Sequence, residues 1–126
     1  MTEDIDPNNI QIDLSYLSDV AGGSGEFMIE MIDMFLAQTP DCFTEIDQSI
    51  SANNWSKVGE VAHKIKPTFT FMGVNFVKEI LAEIEVKAKK LELVEEIRPA
   101  FDKINSVIDT IYLKLEEEKI RLKDQD

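Results

Sequence analysis

The sequence contains one cysteine, Cys42, and no long run of apolar residues. A single cysteine cannot close an internal disulfide, so we expect Cys42 to be a small buried apolar residue. No apolar run approaches the roughly 20 residues that a membrane-spanning helix needs. The first residues are acidic and polar, unlike the start of a secretory signal peptide. These absences predict a cytoplasmic protein without a membrane segment.

Basic residues are scarce, above all in the first half of the chain. Lysine and arginine number 13 against 25 aspartates and glutamates, a net charge of −12, and residues 1–62 hold twelve acids but one base, Lys57. Nucleic acids and anionic membranes are bound through clustered Lys and Arg, so neither is an expected partner. The acidic half has two interpretations: a solvated face that keeps the protein soluble, or a surface that selects a partner.

Glycine and proline are also few, five and four residues, and no stretch alternates apolar and polar residues as a strand would. The pattern is helical almost throughout. Helices are predicted from a cap at Asp13 to Val20, over 26–50, over 55–72, over 76–91, and from 94 or 95 to the lysine-rich end. The predicted breaks are the glycine-rich segment 22–25, the turn 51–54 and Gly73.

Four long amphipathic helices with short connections predict an all-α fold. We expect an antiparallel up-and-down four-helix bundle, capped at one end by the short first helix. Residues 1–10 are expected to form an N-terminal arm, 11–115 the bundle, and 116–126 a charged extension of the last helix. This extension should be solvated, with pairing against another helix as the alternative. Pro40 should kink or split the second helix, and Asn53 or Asn54 should cap the third.

The third predicted helix contains the only histidine, His63. On a helical wheel of ~100° per residue, five apolar residues share one narrow arc and form the predicted core stripe: Val58, Ala62, Ile65, Phe69 and Met72. His63 points about 130° away from that arc and should face solvent, beside Gly59, Lys66, Pro67 and Thr70. Glycine inside a helix costs up to ~1 kcal/mol, which indicates tight packing or a need for open access at Gly59.

An exposed histidine beside a lysine allows few kinds of chemistry. A metal site is not expected, because one histidine and one cysteine have no ligand spacing between them. A nucleophilic triad lacks a nearby Ser or Cys, and a general base would need a pocket that a solid bundle rarely has. A phosphoryl acceptor needs a neutral imidazole, open space at one ring nitrogen and a cation, which Lys66 can supply. The alternative is an ordinary surface histidine.

The residues around His63 resemble the histidine-containing phosphotransfer (HPt) domain family. The family pattern Ala-His-x-Leu-Lys-Gly, followed by small residues, an apolar residue and Gly, is similar to the segment from Ala62 to Gly73. Segments 12–17, 22–23 and 27–35 resemble the first two helices of the family. Ile84-Glu85 resembles its Leu-Glu on the following helix. The resemblance covers roughly residues 10–110.

The resemblance implies a four-helix bundle that carries a phosphoryl group on the His63 imidazole, with Lys66 steadying the phosphoryl oxygens. It implies a phosphocarrier without catalysis of its own and without a cofactor, because the receiver domain supplies an acidic pocket and Mg²⁺. The implied partners of this monomer are a response-regulator receiver domain and a sensor hybrid histidine kinase. No glycine-rich phosphate loop is found, which argues against self-phosphorylation from ATP.

Two departures from the family pattern bear on the site. Pro67 replaces the usual glycine one turn after His63, offers no N–H to the His63 carbonyl and crowds it, so a local bend or widened turn is predicted at His63. Phe69 and Phe71 stand where small residues are common. Phe69 belongs to the core stripe, whereas Phe71 should pack against another helix, with partner contact as the alternative.

The partner surface is expected to surround the histidine. The predicted binding residues are Leu17, Val20, Gly59, Lys64, Pro67, Thr70 and Glu85. Glu85 either holds the imidazole N–H and fixes the tautomer or is a solvated charge. Lys64 should be a rim contact, and Phe27, a further apolar candidate, should pack in the core.

Two other functions stay open on the sequence. One is a helical-bundle adaptor that binds a signalling partner without phosphate, and the other is an enzyme with His63 as general base. If the acidic half selects the partner, neutralising Asp19, Glu26 and Glu60 together should alter the choice of receiver.

Overall fold

The computed structural model describes residues 10–124, so the arm predicted for 1–10 lies, apart from Ile10, outside the described residues. The elements in chain order are α1 (Ser15–Val20), α2 (Gly25–Ser51), α3 (Trp55–Phe71), α4 (Asn75–Lys90), a 3₁₀ turn (Val94–Glu96), α5 (Ile97–Asn105) and α6 (Ile108–Asp124). No strand occurs in this range, which confirms the all-α prediction. None of these helices combines the length and the apolar content needed to cross a membrane.

The four arms of the bundle are α2, α3, α4 and the α5–α6 pair. α3 packs against both α2 and α4, and α5 and α6 close the bundle against α4 and α2. All five residues of the predicted α3 stripe are at most 2% exposed. Phe69 lies at the centre, with its ring edge-on to Phe35 of α2 at a centroid distance of 5.1 Å. Cys42 is buried and unpaired, as predicted.

Side-chain oxygens accept from backbone amides at the starts of the first three helices. The Asp13 carboxylate accepts from the Ser15 amide at 2.9 Å, just before α1. Asn54 is the predicted cap of α3, and its Oδ1 accepts from the Lys57 amide at 3.3 Å. Ser24 does the same for α2. Each cap satisfies an amide that the first helical turn leaves without an intrahelical partner.

A close backbone contact at Gly73 holds the start of α1 across the C-terminal end of α3. Gly73 has a φ of +69°, and the Asp13 amide donates to its carbonyl oxygen at 3.3 Å. A Cβ on Gly73 would lie 1.8 Å from the Asp13 carbonyl oxygen, so no side chain fits. The contact places α1 beside the last turn of α3, where Tyr16 stacks on Phe71 with ring centroids 5.3 Å apart. Phe71 therefore packs against another helix, as predicted.

Neither internal proline breaks its helix. α2 continues from residue 25 to 51 through Pro40, so the predicted split is wrong. α3 is α-helical over its whole length, and the widened turn predicted at His63 is not formed. Both prolines are exposed, so their rings face solvent, while the buried apolar residues on either side of each keep the helix on its course. Packing of the flanking turns outweighs the one hydrogen bond that each proline removes.

The prediction of a single last helix is wrong, because the chain turns at residues 106–107 between α5 and α6. The Ser106 hydroxyl donates to the Lys103 carbonyl at 2.7 Å and competes with the helical pattern. The Val107 amide bonds to the Ile104 carbonyl, three residues back, at 3.2 Å. This tighter spacing ends α5, and burial of Val107 keeps the turn against the core.

The charged end of α6 is tied to the bundle rather than projecting from it. α6 stays helical to Asp124, and Leu122 is only 5% exposed. Lys119 pairs with Asp33 of α2 at 2.5 Å. The described part of this segment, residues 116–124, thus contributes Leu122 to the core and the Lys119 ion pair to the α2–α6 contact instead of extending into solvent.

Candidate functional site

His63 lies on the outward face of α3, on the side next to α4. Its side chain is 65% exposed, in agreement with the helical wheel. Its Nδ1 lies 2.7 Å from Oε2 of Glu85 in α4. Because an ionised carboxylate can only accept, we assign the imidazole hydrogen to Nδ1. In the neutral ring the lone pair then belongs to Nε2, the nitrogen on the other side of the ring.

Glu85 is a nearly buried carboxylate, with its side chain 9% exposed. Oε1 accepts from Lys66 Nζ at 2.8 Å, and Oε2 accepts from Lys89 Nζ at 2.7 Å as well as from His63. Burial by itself would raise the pKa of Glu85, but these three hydrogen bonds outweigh it and lower the pKa from 4.5 to about 2. Of the two interpretations from sequence, the structure has Glu85 holding the imidazole rather than standing as a solvated charge.

Two lysines surround this carboxylate, one from each helix. With one negative and two positive charges, the Glu85 carboxylate and its two lysines together carry a net charge of +1. Lys66 was predicted near His63, whereas Lys89 was missed. The sequence does hold a signal for Lys89, since it follows Glu85 by four residues, the spacing of an ion pair on one helix face.

A shallow depression lies next to the imidazole, between α3 and the end of α4. It is lined by Ser56, Glu60, His63, Ala88, Lys89 and Leu91. His63 is thus at the wall of an open surface feature rather than inside an enclosed pocket. No group of three or more His, Cys, Asp or Glu side chains that could hold a metal ion occurs between residues 10 and 124.

A model of the Hpt domain family matches residues 30–120, a range that contains His63, Lys66, Glu85 and Lys89. The chain belongs to the Hpt domain family. Hpt domains are phosphocarrier modules that serve histidine phosphotransfer in two-component signalling and interact with receiver domains and histidine kinases. The predicted resemblance to this family is therefore confirmed. Searches of curated proteins and of solved structures find no match.

Gly59 in this Hpt domain serves close packing of α3 on α4. It is buried, and a Cβ there would lie 3.3 Å from Cγ of Lys89 and 3.5 Å from Cβ of Ala88. The aliphatic stem of Lys89 therefore packs against α3 at Gly59, one turn before His63. Of the two interpretations from sequence, tight packing describes Gly59, which does not line the open depression.

The remaining predicted binding residues of the Hpt domain are not equally accessible. Leu17 is 0% exposed and offers no surface to a partner, which corrects its prediction as a contact. Val20 is 49% exposed and Phe27 is 40% exposed, so the prediction that Phe27 packs in the core is wrong. The other three lie on the outer side of α3: Lys64 and Pro67 are exposed, and Thr70 is half-buried.

The orientation of α1 that buries Leu17 exposes Tyr16, which was not predicted as a contact from the sequence. Tyr16 is 50% exposed although its ring stacks on Phe71. The outer surface of α1 therefore presents Tyr16 and Val20 near the C-terminal end of α3. This part of the chain lies before residue 30, where the family match begins.

Proposed function

We propose that His63 is the phosphoryl acceptor of this Hpt domain and that it relays the group between receiver-domain aspartates. The observation that carries the proposal is the hydrogen bond from Nδ1 to the Glu85 carboxylate on an otherwise exposed side chain. It supports a fixed tautomer with the nucleophilic lone pair on Nε2. Surface histidines without such a partner have no fixed ring orientation.

The transfer step needs no proton exchange with solvent. The Nε2 lone pair attacks the phosphorus of the aspartyl phosphate, the P–Nε2 bond forms, and the P–O bond breaks with its electron pair going to the aspartate carboxylate. The ring acquires positive charge while the Nδ1 hydrogen stays on it, and the adjacent Glu85 charge stabilises that state. In the onward step an aspartate oxygen attacks phosphorus, and the electron pair of the P–Nε2 bond returns to the ring.

Lys66 and Lys89 supply positive charge for the carried group. A phosphoryl group adds close to two negative charges at neutral pH. Each ammonium group has three N–H donors and uses one on Glu85, so it can keep that contact and donate to a phosphoryl oxygen. We assign the remaining requirements, an acidic pocket and a divalent cation, to the receiver domain, so the chain is a carrier without catalysis of its own.

The docking surface that fits this role runs from α1 to the outer face of α3. Tyr16 and Val20 of α1 and Phe27 of α2 offer apolar surface there. Asp19 and Glu26 lie exposed beside these residues in the sequence, which suits a surface that selects among receivers by charge. We further propose that the protein is monomeric and acts in the cytoplasm. Analytical ultracentrifugation at the concentration used in the transfer assay tests whether it is monomeric.

The experiment measures phosphoryl transfer to this protein from the receiver domains encoded in the source genome, each phosphorylated beforehand with acetyl phosphate. Wild-type protein should acquire an acid-labile, base-stable label, and ³¹P NMR should show phosphorus on an imidazole nitrogen. His63→Gln should acquire none, and since the chain has one histidine this variant removes every imidazole. Label on His63→Gln, or none on wild type from any receiver, contradicts the proposal. Receiver binding without transfer, equal in both proteins, would indicate the adaptor instead.

A further inference from the structure

Leu91 ends α4 in a conformation that leucine disfavours. Its φ of 56° and ψ of 36° are left-handed, and the Glu92 amide bonds to the Lys87 carbonyl five residues back at 3.2 Å. Helices that end in this way usually have glycine or asparagine at the left-handed position, because a larger side chain there strains the backbone. The local backbone therefore does not account for a leucine at this position.

Burial does not account for it either. The Leu91 side chain is 67% exposed, the largest exposure among the large apolar residues of the described chain. It lines the depression beside the imidazole, together with Glu60, His63 and Lys89. An apolar side chain that neither favours the turn nor packs in the core thus borders the depression whose wall includes His63.

We propose that Leu91 is an apolar docking contact for the receiver domain that exchanges phosphoryl groups with His63. The inference rests on the proposed function and extends its surface. Any aspartyl phosphate that reaches Nε2 brings its domain over the depression, because His63 itself forms part of the depression wall. The lining combines the apolar side chain of Leu91 with the charged side chains of Glu60 and Lys89, and protein interfaces likewise combine apolar and polar contacts.

The position of Leu91 extends the docking surface along α3 in a direction that α1 does not cover. α1 touches the last turn of α3 at Phe71, and Asp13, just before α1, contacts Gly73, just after α3. Leu91 shares the depression with Ser56 and Glu60, which belong to the first turns of α3. Apolar contacts would then lie on both sides of His63 and hold the receiver over the ring from two directions.

Leu93 offers a matched control two residues further on. It has nearly the same left-handed backbone, with φ 54° and ψ 34°, and its side chain is 54% exposed. It does not belong to the residues that line the depression. Asparagine tolerates a left-handed backbone, so Leu91→Asn and Leu93→Asn remove equivalent apolar side chains without forcing either turn to refold.

The experiment compares the two variants with wild type in three measurements. Urea denaturation midpoints should be equal to wild type or higher in both variants. For transfer from phosphorylated receivers, kcat/KM should fall about five- to thirty-fold in Leu91→Asn, the effect of losing one partly covered leucine contact. In Leu93→Asn it should stay within about two-fold. Direct labelling by phosphoramidate, a small donor that needs no docking, should be unchanged in all three proteins.

The outcomes separate this inference from the proposed function. Leu91→Asn that accepts phosphate from receivers at the wild-type rate overturns the docking role and leaves His63 as acceptor. An equal loss in both variants also overturns it, because the effect then belongs to the connection and not to the depression. Wild-type protein that takes phosphate from neither receivers nor phosphoramidate overturns both.

Discussion

The substitution Glu85→Gln removes the negative charge of this side chain and nearly keeps its shape. Glutamine has nearly the same volume and can still accept from the imidazole of His63. It gives no counter-charge to the ammonium groups of Lys66 and Lys89, which lie 2.8 and 2.7 Å from the carboxylate oxygens. We expect the substitution to lower the free energy of unfolding at neutral pH, because two cations then face a neutral amide.

The magnitude follows from the pKa of Glu85. A lowering from 4.5 to about 2 corresponds to an upper value of about 3.4 kcal/mol at ~1.36 kcal/mol per pKa unit. Two of its three partners, His63 and Lys89, are 65% and 56% exposed, so solvent screens them; the expected loss is about 1–2 kcal/mol. Because the pKa is lowered on folding, this stabilisation is present above about pH 4.5 and is lost as the pH falls toward about 2.

The assay is urea denaturation of wild type and Glu85→Gln between about pH 7 and about pH 3. The difference in unfolding free energy should narrow as the pH falls below 4.5, the ordinary pKa of the carboxyl. Glu83→Gln is the control, since Glu83 is exposed on the same helix and takes no part in the ion pairs described for residues 10–124. A pH-independent difference, or equal stability at neutral pH, would refute the reasoning.

Three further substitutions test packing around the site. Gly73→Ala should cost more than about 2 kcal/mol in urea unfolding, because its positive φ strains alanine and the new Cβ meets the Asp13 backbone. Gly59→Ala should raise the unfolding free energy by roughly 0.5 kcal/mol, since the gain in helix propensity exceeds the cost of shifting the flexible Lys89 stem. Tyr112→Phe should leave the thermal midpoint unchanged or raise it, because the buried hydroxyl has no hydrogen-bond partner among residues 10–124.

Each of these has its own control or contradicting result. Gly22→Ala shares a positive φ, 62°, but its Cβ would meet nothing within 4 Å, so its cost reports strain alone. Equal costs at residues 22 and 73 would mean that the Asp13 contact is unimportant. Gly59→Ala that loses about 1 kcal/mol or more would show that α4 cannot give way there. A clear drop in the midpoint of Tyr112→Phe would reveal a hydrogen bond that the described packing does not contain.

The parts of the fold that depend on local periodicity could be predicted from the sequence. The core stripe of α3 and the caps at Asp13 and Asn54 follow from helix geometry and from hydrogen bonds within a few residues. The effect of Pro40 could not be predicted, because it depends on how much apolar surface the flanking turns bury. The turn at residues 106–107 depends on burial of Val107 against other helices. The spacing of apolar residues within one segment does not indicate such burial.

The same distinction between local pattern and packing between helices holds for the residues of the site. The outward direction of His63 requires only the wheel, and Lys66 lies one turn away on the same helix. The roles of Glu85 and Lys89 depend on the register between α3 and α4, so the sequence left the first ambiguous and the second unnoticed. Leu17 is buried instead of exposed, because the rotation of the short α1 is set by the contact of its leading segment with Gly73 rather than by its own pattern. Phe27, in the first turn of α2, is exposed instead of buried.

The contact between Gly73 and Asp13 has a consequence for how such a carrier diverges. It joins main-chain atoms, so it sets the position of α1 without any demand on the outward side chains of that helix. Val20, which is half exposed on α1, can therefore change with little effect on the hydrophobic core. Duplicated copies of the gene could acquire different receivers through a few surface substitutions, while the histidine, its carboxylate and the two lysines stay as they are.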